Sequence, residues 1–343
     1  MHEDLVAAYI DRCGGTLLDV NSSSDSDKNS SFLKRVILPS HIHRIRIPCV
    51  PWYHIGEISD AFETPLPLLR DADLSIDYDL SPPPFERPFL AGATNLVSLR
   101  LSDYNINSGA LPHLIIPTLT HLSLSFTEPR VPMVGELPEL LRDSPLIEDL
   151  LIHAEVVLDA SEESSAFPDR FQPVDLPCLR SIHLSWAMSR SQYTLLANIQ
   201  HPANCSVSMQ ARSDSDIAQP PQNVFPKSWD AFSLPNLTCV TLRMKRERLS
   251  TECAVIAKKS NGTSVSISHL HNVDGDGNVI REPSRDRDDS HVLSDAIALF
   301  RKLPLHWIRK FVLEDPRADE MSVPESFEIP LALVGLIVGT CQT

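Results

Sequence analysis

Two histidine pairs, His41/His43 and His269/His271, are spaced as H-x-H. On a strand that spacing puts both imidazoles on one side, where they could share a metal ion. No third ligand is evident for either pair, and histidine is also common on solvated strand faces. The run Asp274-Gly275-Asp276-Gly277-Asn278 carries the carboxylates of a calcium loop. An EF-hand needs glycine at its sixth place and an acid at its twelfth, and this chain has Val279 and Arg285 there. It reads as a turn-rich insert. Seven cysteines stand at 13, 49, 178, 205, 239, 253 and 341, with no C-x-x-C pair. An odd count without pairing argues against a zinc site or a disulfide framework. Cys178, Cys205 and Cys239 lie in or beside predicted strands and read as small buried packing residues rather than nucleophiles. No serine sits in G-x-S-x-G, and no G-x-G-x-x-G or G-x-x-x-x-G-K-[ST] occurs. The expectation is a chain that is not an enzyme, with no catalytic residue, no metal and no cofactor.

Charge narrows the partners. The formal net charge is −15, which opposes docking on a nucleic-acid backbone. The one basic run, Arg243, Lys245, Arg246 and Arg248, reads as a solvated strand end. The acidic, serine-rich stretches NSSSDSDKNSS from Asn21 and SEESS from Ser161 read as solvated loops that an acid-directed kinase could modify. The longest apolar run, Ile329 to Val338, is too short to cross a bilayer and contains a proline. The opening MHEDLVAAYIDRCGG has acids where a secretion signal would carry bases. An intracellular chain, cytoplasmic or nuclear, with reduced thiols is expected, with neither nucleic acid nor membrane as partner.

With no catalytic motif, the question becomes what the repeated elements position. One pattern recurs: apolar, two residues, apolar, one residue, apolar. It appears as IHRIRI from Ile42, LVSLRL from Leu96, LTHLSL from Leu119, IEDLLI from Ile147, LRSIHL from Leu179, LTCVTL from Leu237 and IRKFVL from Ile308. Weaker copies are DADLSI from Asp71, NCSVSM from Asn204 and GTSVSI from Gly262. Three apolar slots fill by chance roughly two dozen times in such a chain, so spacing and punctuation must carry the argument. Most starts follow one another at or near the 20–29-residue period of leucine-rich repeats, and the longer gaps hold polar inserts. Pro117, Pro145, Pro177, Pro202 and Pro235 each stand two residues before a start. Proline ends helices and forces its predecessor to extended geometry, so it marks helix exit and strand entry.

The last two apolar slots point to one side of a strand and the residue between them to the other. Those in-between residues are Arg46, Ser75, Arg100, Ser123, Leu151, His183, Ser208, Thr241, Ser266 and Val312, eight of the ten polar. Helical stretches are expected between strands at ELPELLRDS, SQYTLLANIQ, STECAVIAKKSNG (stopped by Asn261-Gly262) and LSDAIALFRKLP. The fold expected is an α/β leucine-rich-repeat-like solenoid, with a mostly parallel curved sheet and helices on the convex side. A capping segment over 1–40, about ten irregular units with polar inserts over 41–315 and a cap or tail over 316–343 complete the organisation.

Units such as LPCLRSIHL and LPNLTCVTL, with ELLRDSPLIEDLLI, NLVSLRLSDYN and the opening YIDRCGGTLLDV, resemble the degenerate leucine-rich repeats of fungal F-box proteins. The resemblance runs from about Tyr9 to Leu313. It implies a substrate receptor of a cullin–RING ubiquitin ligase, whose F-box binds a Skp-type adaptor. No F-box is visible: the one L-P-x-L-L start, Leu137 to Leu141, falls in phase with the repeats, so the adaptor is expected only if an F-box lies upstream. The asparagine ladder of such repeats is also absent, since Asn105 is one place late.

The functional expectation is therefore a protein–protein interaction module. Its partner-contacting residues are expected to be Arg46, Arg100, Ser123, His183, Ser208 and Thr241, aligned on one wet face. An enzyme with chemistry in the inserts, or a self-associating structural repeat, are the alternatives.

Overall fold

The computed structural model describes residues 12, 16–21, 41–51, 66–77, 92–102, 116–126, 137–154, 173–186, 195–196, 198–213, 237–246, 250–259, 261–272, 310–314 and 326–328. They hold strands β1 (Leu18–Asn21), β2 (Ile42–Pro51), β3 (Asp71–Asp77), β4 (Ser98–Ser102), β5 (His121–Phe126), β6 (Asp149–Ala154), β7 (Val174–Asp175), β8 (Ser181–Trp186), β9 (Ile199–Gln200), β10 (Ser206–Ser213), β11 (Leu237–Arg246), β12 (Ser250–Lys259), β13 (Ser264–Asn272), β14 (Lys310–Glu314) and β15 (Ser326–Glu328), with helix α1 (Leu137–Arg142). The chain divides into two compact units. One is Met1–Leu179 with Asn198–Pro202, the other Arg180–Ala197 with Ala203–Thr343. Among the described residues no helix is long and apolar enough to cross a membrane.

In the first unit β1 to β6 pair in chain order, every pair parallel. This is the solenoid that the spacing of the repeats implies. Two inward columns run across it: Ile45, Ala72, Leu99, Leu122 and Leu150, then Ile47, Leu74, Leu101, Leu124 and Ile152. All ten are buried. A third column, Ile42, Leu69, Leu96, Leu119 and Ile147, is buried at the start of β2 and just before β3 to β6. No coil could hide these side chains alone; each is covered by the coils beside it. The buried Leu101, Leu124 and Ile152, and Leu184 in the second unit, bear out the expected core slots. The side chain of Leu242 lies outside the described ones.

The prolines act through turns. Leu69 N–H bonds Leu66 O, Leu96 bonds Ala93, Leu119 bonds Ile116, Ile147 bonds Ser144 and Leu179 bonds Leu176, all at 3.1–3.3 Å. Pro67, Pro117, Pro145 and Pro177 each take the second place of such a turn, where a fixed φ near −65° is already correct. Turn side chains then stitch neighbouring coils. Asn95 Nδ2 donates to Pro67 O (2.7 Å), Thr118 Oγ1 to Leu96 O (2.8 Å) and the buried Ser144 Oγ to Ile116 O (3.2 Å). These bonds satisfy carbonyls that no strand partner reaches. Beside these coils β7 pairs with β9 in a separate two-stranded parallel sheet.

The second unit departs from the expected pattern. Its strands run in the order β8-β10-β13-β12-β11-β14-β15. β8, β10 and β13 are parallel, as are β11 and β14, but β12 is antiparallel to both its neighbours and β15 to β14. The stretch STECAVIAKKSNG is therefore not a helix. It is β12 followed by a hairpin turn in which Gly262 N–H bonds Lys259 O (3.1 Å) and Lys259 N–H bonds Thr263 O (2.8 Å). Gly262 sits at φ +87°, the left-handed place that ends a three-residue hairpin loop. Asn261 Oδ1 accepts from Thr263 N–H and Oγ1. Asn-Gly is a hairpin signal as much as a helix stop. Of the other expected helices, ELPELLRDS holds α1, SQYTLLANIQ is helical at Leu195 and Leu196 and ends in strand β9, and LSDAIALFRKLP lies outside the described residues.

One register also differs. The unit taken to begin at Asp71 begins at Leu69, because Leu74 pairs with Ile47 and Leu101. Ala72 fills the middle inward slot and Asp73, not Ser75, stands between the two. Pro67 then falls two residues before the start, like its counterparts.

Candidate interaction face

Every second residue of β2 to β6 points away from the buried columns. In register these make three rows on the first unit. The first is Asp19, Arg44, Asp71, Ser98, His121 and Asp149; the second Asn21, Arg46, Asp73, Arg100, Ser123 and Leu151; the third Ser75, Ser102, Ser125 and His153. Arg46, Arg100 and Ser123 thus share one row, as expected.

The arginines are not isolated on it. Arg46 Nε lies 3.4 Å from Asp73 Oδ2 and Arg100 Nη1 lies 3.9 Å from the same oxygen. Arg46 and Arg100 are 59% and 57% exposed, while Asp73 between them is 30% exposed. The carboxylate sits low and the guanidiniums reach past it into solvent. Arg44 is held on both sides: Nε and Nη2 bond Asp71 Oδ2 at 3.3 and 3.2 Å, and Nη1 is 3.6 Å from Asp19 Oδ2. His43 Nδ1 also lies 3.6 Å from Asp19. Sequence reasoning missed Asp19, Arg44, Asp71 and Asp73. The signal was present in the Asp-Ala-Asp of β3, but the Ala72 slot hid which aspartate stood opposite which arginine.

Farther along the first row, Thr120 Oγ1 is 2.6 Å from His121 Nδ1, and His121 Nε2 is 3.1 Å from Asp149 Oδ2. Hydroxyl, imidazole and carboxylate in this order are the parts of an activated nucleophile. Here Thr120 Oγ1 also lies 3.2 Å from Val97 O, and its own N–H is spent on that carbonyl at 2.8 Å. The chain of bonds ties β5 to its two neighbours, and the Thr120 amide has no donor left for a developing oxyanion.

The remaining expected contacts fall in the second unit. His183 pairs with Ser208, Ser208 with Ser266, Ser266 with Ile256, Ile256 with Thr241 and Thr241 with Val312. His183 and Ser208 are half-buried. Thr241 is only 8% exposed and does not offer a partner a wet surface. Ser185, Ala254 and Ser268, on the same outward side, are buried as well. β12 has a buried alanine on each face, Ala254 on one and Ala257 on the other.

Of the cysteines, Cys205 is buried before β10, as expected, but Cys178 is exposed in the turn of Pro177. The Lys259 side chain is buried, its Nζ donating to Ala203 O at 2.8 Å. Burial pushes its pKa below the ordinary lysine value, and the charge of nearby Cys205 pulls partly the other way. The Asp274–Asn278 insert lies outside the described residues. His41 and His43 are half-buried at the start of β2; the side chains of His269 and His271 lie outside the described ones. Among the described residues no group of three or more His, Cys, Asp or Glu is placed to hold a metal.

No family model matches the chain, and no curated protein or solved structure matches it.

Proposed function

We propose that this protein is a binding module for another protein and performs no catalysis of its own, with the outward face of β2 to β6 as its contact surface. The observation that carries the reading is the pair Arg46 and Arg100, held on one carboxylate, exposed, and set in a register-locked row. Guanidiniums braced from below lose little freedom when they grip a partner's carboxylates, which favours an acidic segment. Ser123 and the exposed Leu151 continue the row and could adapt to the partner's shape. The resemblance of the repeats to fungal F-box proteins extends the reading to substrate recognition in a ubiquitin ligase, inside the cell. The test starts from a partner captured with the wild-type chain. Arg46→Glu with Arg100→Glu should abolish capture while the circular-dichroism spectrum and melting stay unchanged. Capture that survives the double reversal would remove this face from consideration. Co-purification of a Skp-type adaptor with the full-length gene product tests the ligase extension.

A further inference from the structure

The two guanidiniums spend very little of their hydrogen-bonding capacity. Each arginine carries five N–H donors. Arg46 approaches Asp73 through Nε and Arg100 through Nη1, and no other partner is seen for either among the described residues. Both converge on the same oxygen, so the two groups stand close to each other. Arg46, Asp73 and Arg100 together leave one positive charge. Ser75 and Ser102 stand in register on the row beside them, two residues along the strand from Asp73 and Arg100. Neither hydroxyl has a partner among the described residues, and both are half-buried. Donors of four side chains thus stand on adjacent rows beside Asp73, whose carboxylate is engaged by both arginines.

We infer that Arg46, Arg100, Ser75 and Ser102 form a binding site for a phosphomonoester group. A planar fork suits the edge of a tetrahedral oxyanion, and two forks suit a dianion better than a single carboxylate. Phosphate monoesters carry between one and a half and two negative charges near neutral pH. The hydroxyls supply further donors to oxygens that the guanidiniums do not reach. Asp73 holds both arginines without filling their outer N–H groups. Arg44 makes the contrast: Asp71 and Asp19 engage its guanidinium at all three nitrogens. The site rests on the reading of this face as a contact surface, but it is tested without a protein partner.

The experiment uses the full chain labelled with nitrogen-15, the arginine Nε–Hε resonances being assigned with Arg44→Lys, Arg46→Lys and Arg100→Lys. Inorganic phosphate, a phosphoserine tripeptide and glucose 6-phosphate are titrated separately at fixed ionic strength, with chloride and acetate as controls. Saturable shifts of Arg46 and Arg100, with Arg44 unmoved, are expected for all three probes. Tighter binding of one probe names the source of the group. Ser75→Ala with Ser102→Ala should weaken phosphate binding about a hundredfold, roughly tenfold for each hydrogen bond to a charged group that is lost. Linear shifts shared by Arg44, or equal response to acetate and chloride, would overturn the site and show only a charged surface. If phosphate fails while Arg46→Glu with Arg100→Glu still abolishes partner capture, the phosphomonoester site falls and the contact face stands.

Discussion

The outward faces of the two units are built by the same alternation and end in different chemistry. On β2 to β4 five of the eight outward residues in these rows are charged, and Arg44, Arg46 and Arg100 stand more than half exposed. On β8, β10 and β13 the outward residues whose side chains are described are Ser181, His183 and Ser185, then Ser206, Ser208 and Gln210, then Ser264, Ser266 and Ser268. These nine carry no aspartate, glutamate, lysine or arginine, and they are half-buried or buried; Arg212, next on that side of β10, has its side chain outside the described ones. Ser185 Oγ donates to Gln210 Oε1 (3.3 Å) and Ser264 N–H to Ser206 Oγ (3.4 Å), so this face partly satisfies itself. Alternation therefore reports which side a residue takes, not whether that side meets water. The contact surface is proposed on the first unit because Arg46 and Arg100 are exposed and, among the described residues, engage only Asp73.

Placing an arginine on each face would break or sharpen that contrast most. Ser268→Arg must bury a guanidinium, since Ser268 is 8% exposed. The expected cost is about 3–5 kcal/mol, that of an unpaired buried charge. Ser125→Arg on the half-buried third row of the first unit should stay within about 0.5 kcal/mol. Urea denaturation of the two variants checks both; equal effects would erase the distinction between the faces.

Inward positions should not distinguish the units. Leu124→Ala and Leu184→Ala each remove a fully buried side chain and should each cost about 2–5 kcal/mol. Unchanged melting for either would mean that its inward column is wrong. Gly262→Ala probes the hairpin that only the second unit has. A methyl there meets nothing within 4 Å, so its cost is backbone strain alone, about 1 kcal/mol. A larger loss by the same measurement would point to packing around the turn.

Lys259 gives the second unit an alkaline signature. Its pKa is lower folded than unfolded, so the fold sheds the proton first as pH rises. Stability from this group is present above the unfolded value of about 10.4 and is lost as pH falls through the depressed folded value. Lys259→Met should flatten that rise in stability, measured by denaturation across alkaline pH. An unchanged slope would show that Lys259 is well solvated. The smallest effect belongs to the charged face. Asp73→Asn removes only surface ion pairs and should change stability by about 0–1 kcal/mol, while altering the arginine resonances described above.

What the sequence by itself determined is the part set by neighbours within one coil. Apolar slots two apart, entered through a proline-led turn, identified Leu101, Leu124, Ile152 and Leu184 as core and made a mostly parallel solenoid legible. It also put Arg46, Arg100 and Ser123 on one outward row. Tertiary structure alone decided which residues face each other across strands. Side chains alternate with period two, so sliding a unit from Leu69 to Asp71 keeps every residue on its own side. Alternation could not tell those registers apart, and with the register went the knowledge that Asp73 lies between the arginines. The stretch before Asn261-Gly262 is apolar on both faces, which fits a buried strand as well as a helix. Its neighbours β11 and β13 resolved the choice by pairing with it on either side. Thr241 is polar, and its alternation is that of an outward residue. It is nevertheless buried, because exposure is set by whatever packs against a face, and no periodicity within the strand encodes that.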